Sequence, residues 1–437
     1  MQNTPLEITL EKVLNASVNK DIHLSLPQSN LSNDQRKLLY IILSVTMLRF
    51  FSNIRFSFIV PYLEISPGIK LCKDHVDNIA FYWMLALFIG LNSGALILGK
   101  FGEKKGILKL CKIIVLGTIL PCLFLYCLGS NENHLINNSI ALIGTRFINA
   151  FFHPVAFVVS SFFLMKTCDD NHHPKISAYI TIAAISGMQL SYFTVMYLAA
   201  NNLQMWCNIF LGTSIFAGVL CIRYSKSFEQ QTNKMKNLEI FKAKPSAMLL
   251  AISIGCVFNA GIRYHYFFVD TYLADILITQ HDPALSYVFF YIALSVFLII
   301  FGNIIKNEQQ FKILTKALIG ILSIGIAPVI LPIHSLLNYL CYQIIFAFFL
   351  AGFLAPSLSV VFSLFKYNKT ILHGTVWFTF GYSLSNIASD WLTEQYGFFT
   401  HFNFLPMIPL ILGGFTCLSI LTGAMNRLPN QEINRHK

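Results

Sequence analysis

The chain has 437 residues, 55% of them hydrophobic and only 12% charged, with a formal net charge of +11. That balance excludes a soluble globular domain. The positive excess is gathered in short segments between apolar stretches, a distribution that membrane insertion explains and that argues against nucleic acid as a partner.

After a polar head, 1–37, twelve apolar stretches follow: 38–62, 79–99, 107–129, 138–165, 177–200, 206–222, 246–272, 284–305, 313–333, 335–365, 372–395 and 403–426. They are called spans 1 to 12 here. Most exceed the ~20 residues a helix needs to cross the hydrocarbon core. A backbone in lipid must satisfy its own hydrogen bonds, so spanning segments are helices or closed-barrel strands. Barrel strands alternate over about ten residues. These stretches are longer and apolar all round, which predicts helices. With the N-terminus inside, 25 of the 31 Lys and Arg fall in cytoplasmic loops, tails and adjoining first turns. Lys70 and Lys73 fall outside, and four arginines lie within spans. Basic residues are held back during insertion, so this sorting predicts a multi-pass protein of the cytoplasmic (inner) membrane with both termini cytoplasmic. The polar head predicts that span 1 is retained rather than cleaved as a leader.

Taken in chain order, span 1 carries Arg49 near its middle. Arg55 lies about 8 Å further out at ~1.5 Å per residue. The loop after span 2 holds Gly99, Glu103, Lys104 and Gly106, whose glycines predict a tight turn and whose charges predict a lock between helix ends. Span 4 carries Arg146 and His153 beside Pro154, span 5 carries Gln189, and span 7 carries Arg263. Span 11 carries Asp390 after a polar run, Ser383-Leu-Ser385-Asn386-Ile-Ala-Ser389, with Glu394 one turn on. Arg146, Arg263 and Asp390 come out near the depth of Arg55. An arginine at mid-bilayer costs at least ~2.5–3.5 kcal/mol. Each guanidinium is therefore either structural, snorkelling or bonding helix ends, or part of a cavity that fixes an anionic group with its planar fork. Gln189 has the same two explanations, a polar substrate contact or a bond to a neighbouring helix. Proton coupling needs a group that gains and loses a proton near neutral pH. Asp390 is the first candidate, ahead of Glu394 and His153. Asp270, two turns beyond Arg263, reads as a rim ion pair.

The loops add little chemistry. His172-His173 with Asp169 and Asp170 reads as a solvated turn, not a metal site. The ten cysteines are scattered, with only Cys72 clearly external, so no disulfide framework is expected. Five histidines, His75, His134, His281, His334 and His401, lie in external loops. Asn137-Asn-Ser139 matches a glycosylation sequon beside span 4. No Gly-x4-Gly-Lys-Ser/Thr loop is present, so ATP is not expected to be the driver, and neither a cofactor nor an enzymatic activity is implied.

The longest cytoplasmic loop, 223–245, has six Lys or Arg and divides the spans six and six. The halves repeat each other. Span 1 reads FFSNIRFSFIVPYL and span 7 FNAGIRYHYFFVDTYL, which pairs Arg55 with Arg263. Gly187-Met-Gln-Leu-Ser191 of span 5 pairs with Gly381-Tyr-Ser-Leu-Ser385 of span 11. Spans 4 and 10 share Ala-Phe-Phe at Ala150 and Ala347. Same-sense halves related by an axis along the membrane normal are a transporter architecture.

With these features the chain resembles the major facilitator superfamily over about 38–426. Its best local mark is Gly99-Lys-Phe-Gly-Glu103-Lys104-Lys-Gly106-Ile-Leu-Lys109. The family shows Gly, three residues, Asp-Arg, one residue and Gly there, so both exchanges keep the charge. The corresponding loop of the second half, Gly302-Asn-Ile-Ile-Lys306-Asn-Glu308, has lost the pattern. The resemblance implies an all-α membrane protein with twelve transmembrane helices in two pseudo-symmetric six-helix bundles, 38–222 and 246–426, and a short tail, 427–437. It places spans 1, 4 and 7 around a central cavity, so Arg49, Arg55, Arg146 and Arg263 are expected to ring one site. The expected function is proton-coupled secondary transport of a small anionic or zwitterionic metabolite by alternating access, by a monomer in the bilayer. Proton-driven efflux of drugs or a siderophore-like product is the alternative. Span 4 keeps Arg146 but has Asn149-Ala150 where many antiporters have Gln-Gly, and the antiporter signature of span 5 is absent. A non-transporting membrane sensor is the second alternative.

Overall fold

A computed structural model describes residues 31–51, 73–106, 109–111, 113, 117, 119–120, 139–193, 245–268, 283–330, 335–366, 371–396 and 408–426. Arg55, Cys72, Asp270, span 6 and the central loop lie outside the described residues. All regular structure among the described residues is helical. Four of these helices are long and apolar enough to cross a membrane: Phe81–Gly102, Ile143–Met165, Pro245–Tyr264 and Leu337–Phe365.

Helix ends follow local chemistry. The first helix, Asn33–Phe51, starts five residues before the apolar stretch. Asp34 sits in its first turn, where the helix dipole favours an anion, and reaches Lys37 at 3.7 Å. Span 7, Pro245–Phe268, and span 8, Pro283–Ile304, both open on proline. The missing N–H does no harm there, because the first turn has no acceptor for it. Span 9, Gln310–Ile330, follows span 8 through a short turn, Asn307–Gln309, with a bend of 114°.

Span 2 corrects one expectation. Its helix runs from Lys73 to Lys105, so Gly99 lies buried inside the helix rather than at a turn. Glu103 and Lys104 belong to its last turn. The chain turns at Gly106, which has φ 89° and donates its N–H to the Gly102 carbonyl at 2.8 Å. A left-handed residue after the last turn is the ordinary glycine helix stop. Gly99 continues the helix beside the buried Leu98 and half-buried Phe101, and Gly106 is the glycine whose backbone freedom is used.

Span 4 is broken into Ser139–Phe152 and Val155–Lys166. Pro154 has no N–H to give to Ala150. The His153 N–H bonds the Ala150 carbonyl instead, at 3.1 Å, a tighter turn than the α-helix. The Asn149 carbonyl thereby loses its helical donor. Span 5 is His173–Phe193, span 10 Leu336–Lys366 with Pro356 inside, span 11 Ile371–Tyr396 and span 12 Ile408–Asn426.

Packing groups the chain into two units. The first contains Asn33–Phe163 and the described residues from Ile182 to 193. The second contains Leu164–Thr181 and the described residues from Pro245 onward. Residues 164–181 join the second unit because span 5 begins against span 8: Gly302 faces Ala178 and Lys175 with no room for a side chain larger than hydrogen.

The internal repeat appears as a repeated helix crossing. A methyl group on Gly187 would overlap the Met47 carbonyl of span 1, and one on Gly381 would overlap the Ile252 carbonyl of span 7. The same glycine thus lets spans 5 and 11 approach the first helix of their own unit. These crossings sit about one helical turn out of step with the pairing of Arg55 and Arg263 read from sequence.

Candidate functional site

Arg49 is fully buried on span 1. Its Nη2 donates to the Asn149 carbonyl at 2.6 Å and to Asn149 Oδ1 at 3.2 Å, and its Nη1 to the Gly117 carbonyl at 3.4 Å. The first bond goes to the carbonyl that Pro154 deprives of its helical donor. Arg49 therefore closes the break in span 4 from outside the helix. In a membrane interior a stranded carbonyl has no water to turn to.

One turn before Asn149, Arg146 is 5% exposed. Its guanidinium lies over the Trp83 ring of span 2, 5.2 Å from the ring centroid. Trp83 is itself buried. A cation at this distance over an indole face is held by the ring's negative quadrupole. His153 completes this face of span 4. It is buried, with its ring edge-on to Phe50 at 4.6 Å and to Phe157 at 6.2 Å. Arg49 and Arg146 are both within its electrostatic reach. Gln189 is buried on span 5, two residues beyond the Gly187 crossing.

The second unit has its own cluster. Arg263, half-buried on span 7, donates from Nη1 to Asn386 Oδ1 at 2.9 Å and to the Asn386 carbonyl at 3.3 Å. One turn earlier, Asn259 Nδ2 donates to Ser385 Oγ at 3.3 Å. The residues flanking Arg263 are tethered by tyrosines. The Tyr291 hydroxyl donates to the Ile262 carbonyl at 3.3 Å, and the Tyr264 hydroxyl to the Gly325 carbonyl at 3.2 Å. Asp390 and Glu394 lie on the same span 11 helix, one and two turns beyond Asn386, with their side chains outside what is described.

Arg49 and Arg146 share the first unit and meet around His153, Arg263 belongs to the second, and Arg55 lies outside the described residues. Sequence reasoning passed over Trp83, Asn259 and the partner roles of Asn149 and Asn386. The available signal was an asparagine inside an apolar span, which in lipid needs a partner. It also missed the better alignment of spans 4 and 10. Pro154, Val158, Val159 and Ser161 match Pro356, Val360, Val361 and Ser363. Ser161 and Ser363 make the same bond, Oγ to the carbonyl three residues back, at 2.7 and 2.8 Å. The Ala-Phe-Phe match lies five residues out of this register. Among the described residues no group of three or more His, Cys, Asp or Glu is arranged to hold a metal ion.

No protein-family model matches the sequence, and no curated protein matches it either. Solved structures do. The major facilitator superfamily proton:xylose symporter XylE bound to 6-bromo-6-deoxy-D-glucose is similar with a TM-score of 0.69 at 14% identity, covering 89% of this chain and 95% of that one. The chain has the major facilitator superfamily fold. The human organic anion transporter MFSD10 (TETRAN) is similar with a TM-score of 0.58 at 10% identity, over 88% of this chain and 99% of that one. Within the major facilitator fold, the proline break of span 4 and its Arg49 clamp are features of this chain's own side chains. An apolar, multi-helix chain of this fold is an integral membrane protein.

Proposed function

We propose that the protein is a secondary active transporter that moves a small anionic or zwitterionic metabolite by alternating access, coupled to protons. The observation that carries this reading is Arg146, a buried guanidinium held over Trp83 beside a proline-broken helix. Interrupted helices at membrane depth are where transporters of this kind bind their substrates. In this reading Arg49 holds the break, Arg146 and Arg263 supply donors to the anionic group, and Gln189 contacts a polar part of it. Arg55 belongs to the same set by its depth in span 1. Asp390 carries the proton, with Glu394 and His153 as secondary carriers. Gly99, Glu103, Lys104 and Gly106 form the cytoplasmic gating segment. The human anion transporter among the similar structures is consistent with an anionic substrate, and the xylose symporter with proton coupling.

The test is uptake by the purified protein in proteoliposomes, with and without an imposed pH gradient, across a panel of carboxylates, phosphate esters, amino acids, sugars and cationic drugs. Acidic or zwitterionic compounds are expected to accumulate. Arg146→Lys keeps the charge but loses the fork, so affinity should fall about tenfold or more at ~1.5–3 kcal/mol per charged hydrogen bond. Asp390→Asn should abolish gradient-driven accumulation and spare exchange. Transport confined to sugars would refute the substrate class, and transport confined to cationic drugs would refute it and favour the efflux alternative.

A further inference from the structure

Span 11 carries a line of polar side chains that the proposed substrate site does not use. Thr375, Thr379, Ser383 and Asn386 follow one another at helical spacing, so they share one face, and Asp390 continues the register. Thr375, Thr379 and Ser383 are fully buried. The upper end of the line is satisfied by protein: Ser383 Oγ donates to the Phe380 carbonyl at 2.9 Å, and Asn386 Oδ1 accepts from Arg263. The lower end is not. The Oγ atoms of Thr375 and Thr379 have no hydrogen-bond partner among the described residues. Neither does Ser359 Oγ of span 10, which is also fully buried. Gly374 packs on the Val361 carbonyl, and this antiparallel register puts Ser359 level with the turn between Thr375 and Thr379.

Ser359, Thr375 and Thr379 are three buried hydroxyls within about one helical turn of depth, none with a hydrogen-bond partner among the described residues, and polar sites of this kind hold water. The equivalent face of span 5 supplies a comparison. In the register set by Gly187 and Gly381, Thr181 stands for Thr375 but Ile185 stands for Thr379. The span 5 hydroxyl is satisfied within its helix, Thr181 Oγ1 donating to the Ser177 carbonyl at 2.9 Å. Span 5 does carry one hydroxyl without a partner among the described residues, Ser177 Oγ one turn before Thr181, but what belongs to span 11 is a pair of such hydroxyls on consecutive turns.

We propose that Ser359, Thr375 and Thr379 bind a file of internal water molecules that leads along span 11 towards Asn386 and Asp390. Resting on the proposed role of Asp390, the file is the route by which that carboxyl exchanges protons with the cytoplasmic side. Hydroxyl groups both donate and accept, so they can relay protons along bound water.

The experiment is X-ray radiolytic footprinting of the full chain in lipid nanodiscs in H2(18)O, read by mass spectrometry at Phe378 and Tyr382. Both side chains are buried from bulk solvent and lie on the turns of span 11 beside the two threonines. Internal water should give them 18O labelling well above that of Phe353, an equally buried aromatic on span 10. The Thr375→Val/Thr379→Val double variant should lower that labelling at least about threefold, whereas Thr375→Ser/Thr379→Ser should keep it. Labelling no higher than Phe353 would overturn the proposal. So would a rise in melting temperature of the valine variant, the behaviour of dry, stranded hydroxyls. Asp390→Asn separates the two readings. A labelled file with unchanged gradient-driven uptake in Asp390→Asn refutes the proton-exchange role of the file together with Asp390 as carrier, and leaves only the water site. An unlabelled file with loss of uptake in Asp390→Asn refutes the water file and leaves the carrier.

Discussion

The clamp between Arg49 and the break in span 4 makes a double-mutant prediction with a defined sign. Arg49→Met removes a charge-assisted bond of 2.6 Å to the Asn149 carbonyl and strands that carbonyl in the membrane interior. A hydrogen bond to a charged group contributes about 1.5–3 kcal/mol, and a buried unsatisfied acceptor costs about 1–3 kcal/mol. Removing a buried charge also relieves its desolvation, which works the other way. Because the acceptor stays behind when only the arginine is replaced, the loss is expected to dominate, with a net destabilisation of about 2–3 kcal/mol. Pro154→Ala should change that figure. An N–H at position 154 can take the Ala150 carbonyl, which frees the His153 N–H to return to Asn149. The carbonyl then has a helical donor, and Arg49→Met should cost about 1–2 kcal/mol less in the Pro154→Ala background. The assay is thermal unfolding in nanodiscs, followed with a thiol-reactive dye that reports exposure of the buried Cys256 and Cys417. Strict additivity of the two substitutions would refute the claim that Arg49 serves the break. Equal stability of Arg49→Met and wild type would refute it as well.

Two further predictions concern packing and topology. Gly381→Ala should destabilise the protein by about 1–3 kcal/mol or more, because its methyl group meets a backbone carbonyl that cannot rotate away. Gly144→Ala, with open space around it, should be near neutral in the same melting assay, and equal effects would refute the crossing geometry. Burial, and secondarily the negative charge of Asp169, push the Cys168 thiol up to about 12. Only the thiolate reacts with maleimide, so at pH 8 labelling should be on the order of a thousandfold slower than for an ordinary thiol, rising about tenfold per pH unit. Asn171→Cys, at an exposed site three residues on, should label readily and only from the cytoplasmic side. External labelling of Asn171→Cys in intact cells would overturn the predicted topology.

Much of the fold was legible in the sequence because lipid makes helix formation a local matter. Each segment in a bilayer must satisfy its own backbone, so length and apolar character suffice to find the helices. The described helices accordingly fall on the stretches read from composition. A helix end was legible where one residue type decides it, as with the turn at Gly106, and misread where the helix runs on through a glycine, as at Gly99. The candidate site was legible as a list of expensive residues. Arg49, Arg146 and Arg263 stand out because charge in an apolar span needs a reason.

What each arginine does was decided only by tertiary structure. Arg49 meets the Asn149 carbonyl a hundred residues away. Arg146 meets Trp83 of span 2, and Arg263 meets Asn386 of span 11. These pairings depend on how each helix is rotated and how far it slides against its neighbour. A helix that is apolar all round, with lipid as well as protein for solvent, has little periodic pattern to encode its rotation. The sequence alone determined where the helices are and which residues demand partners. Only the packed structure, through close glycine crossings such as Gly187 on Met47 and Gly381 on Ile252, decided which partner each one has.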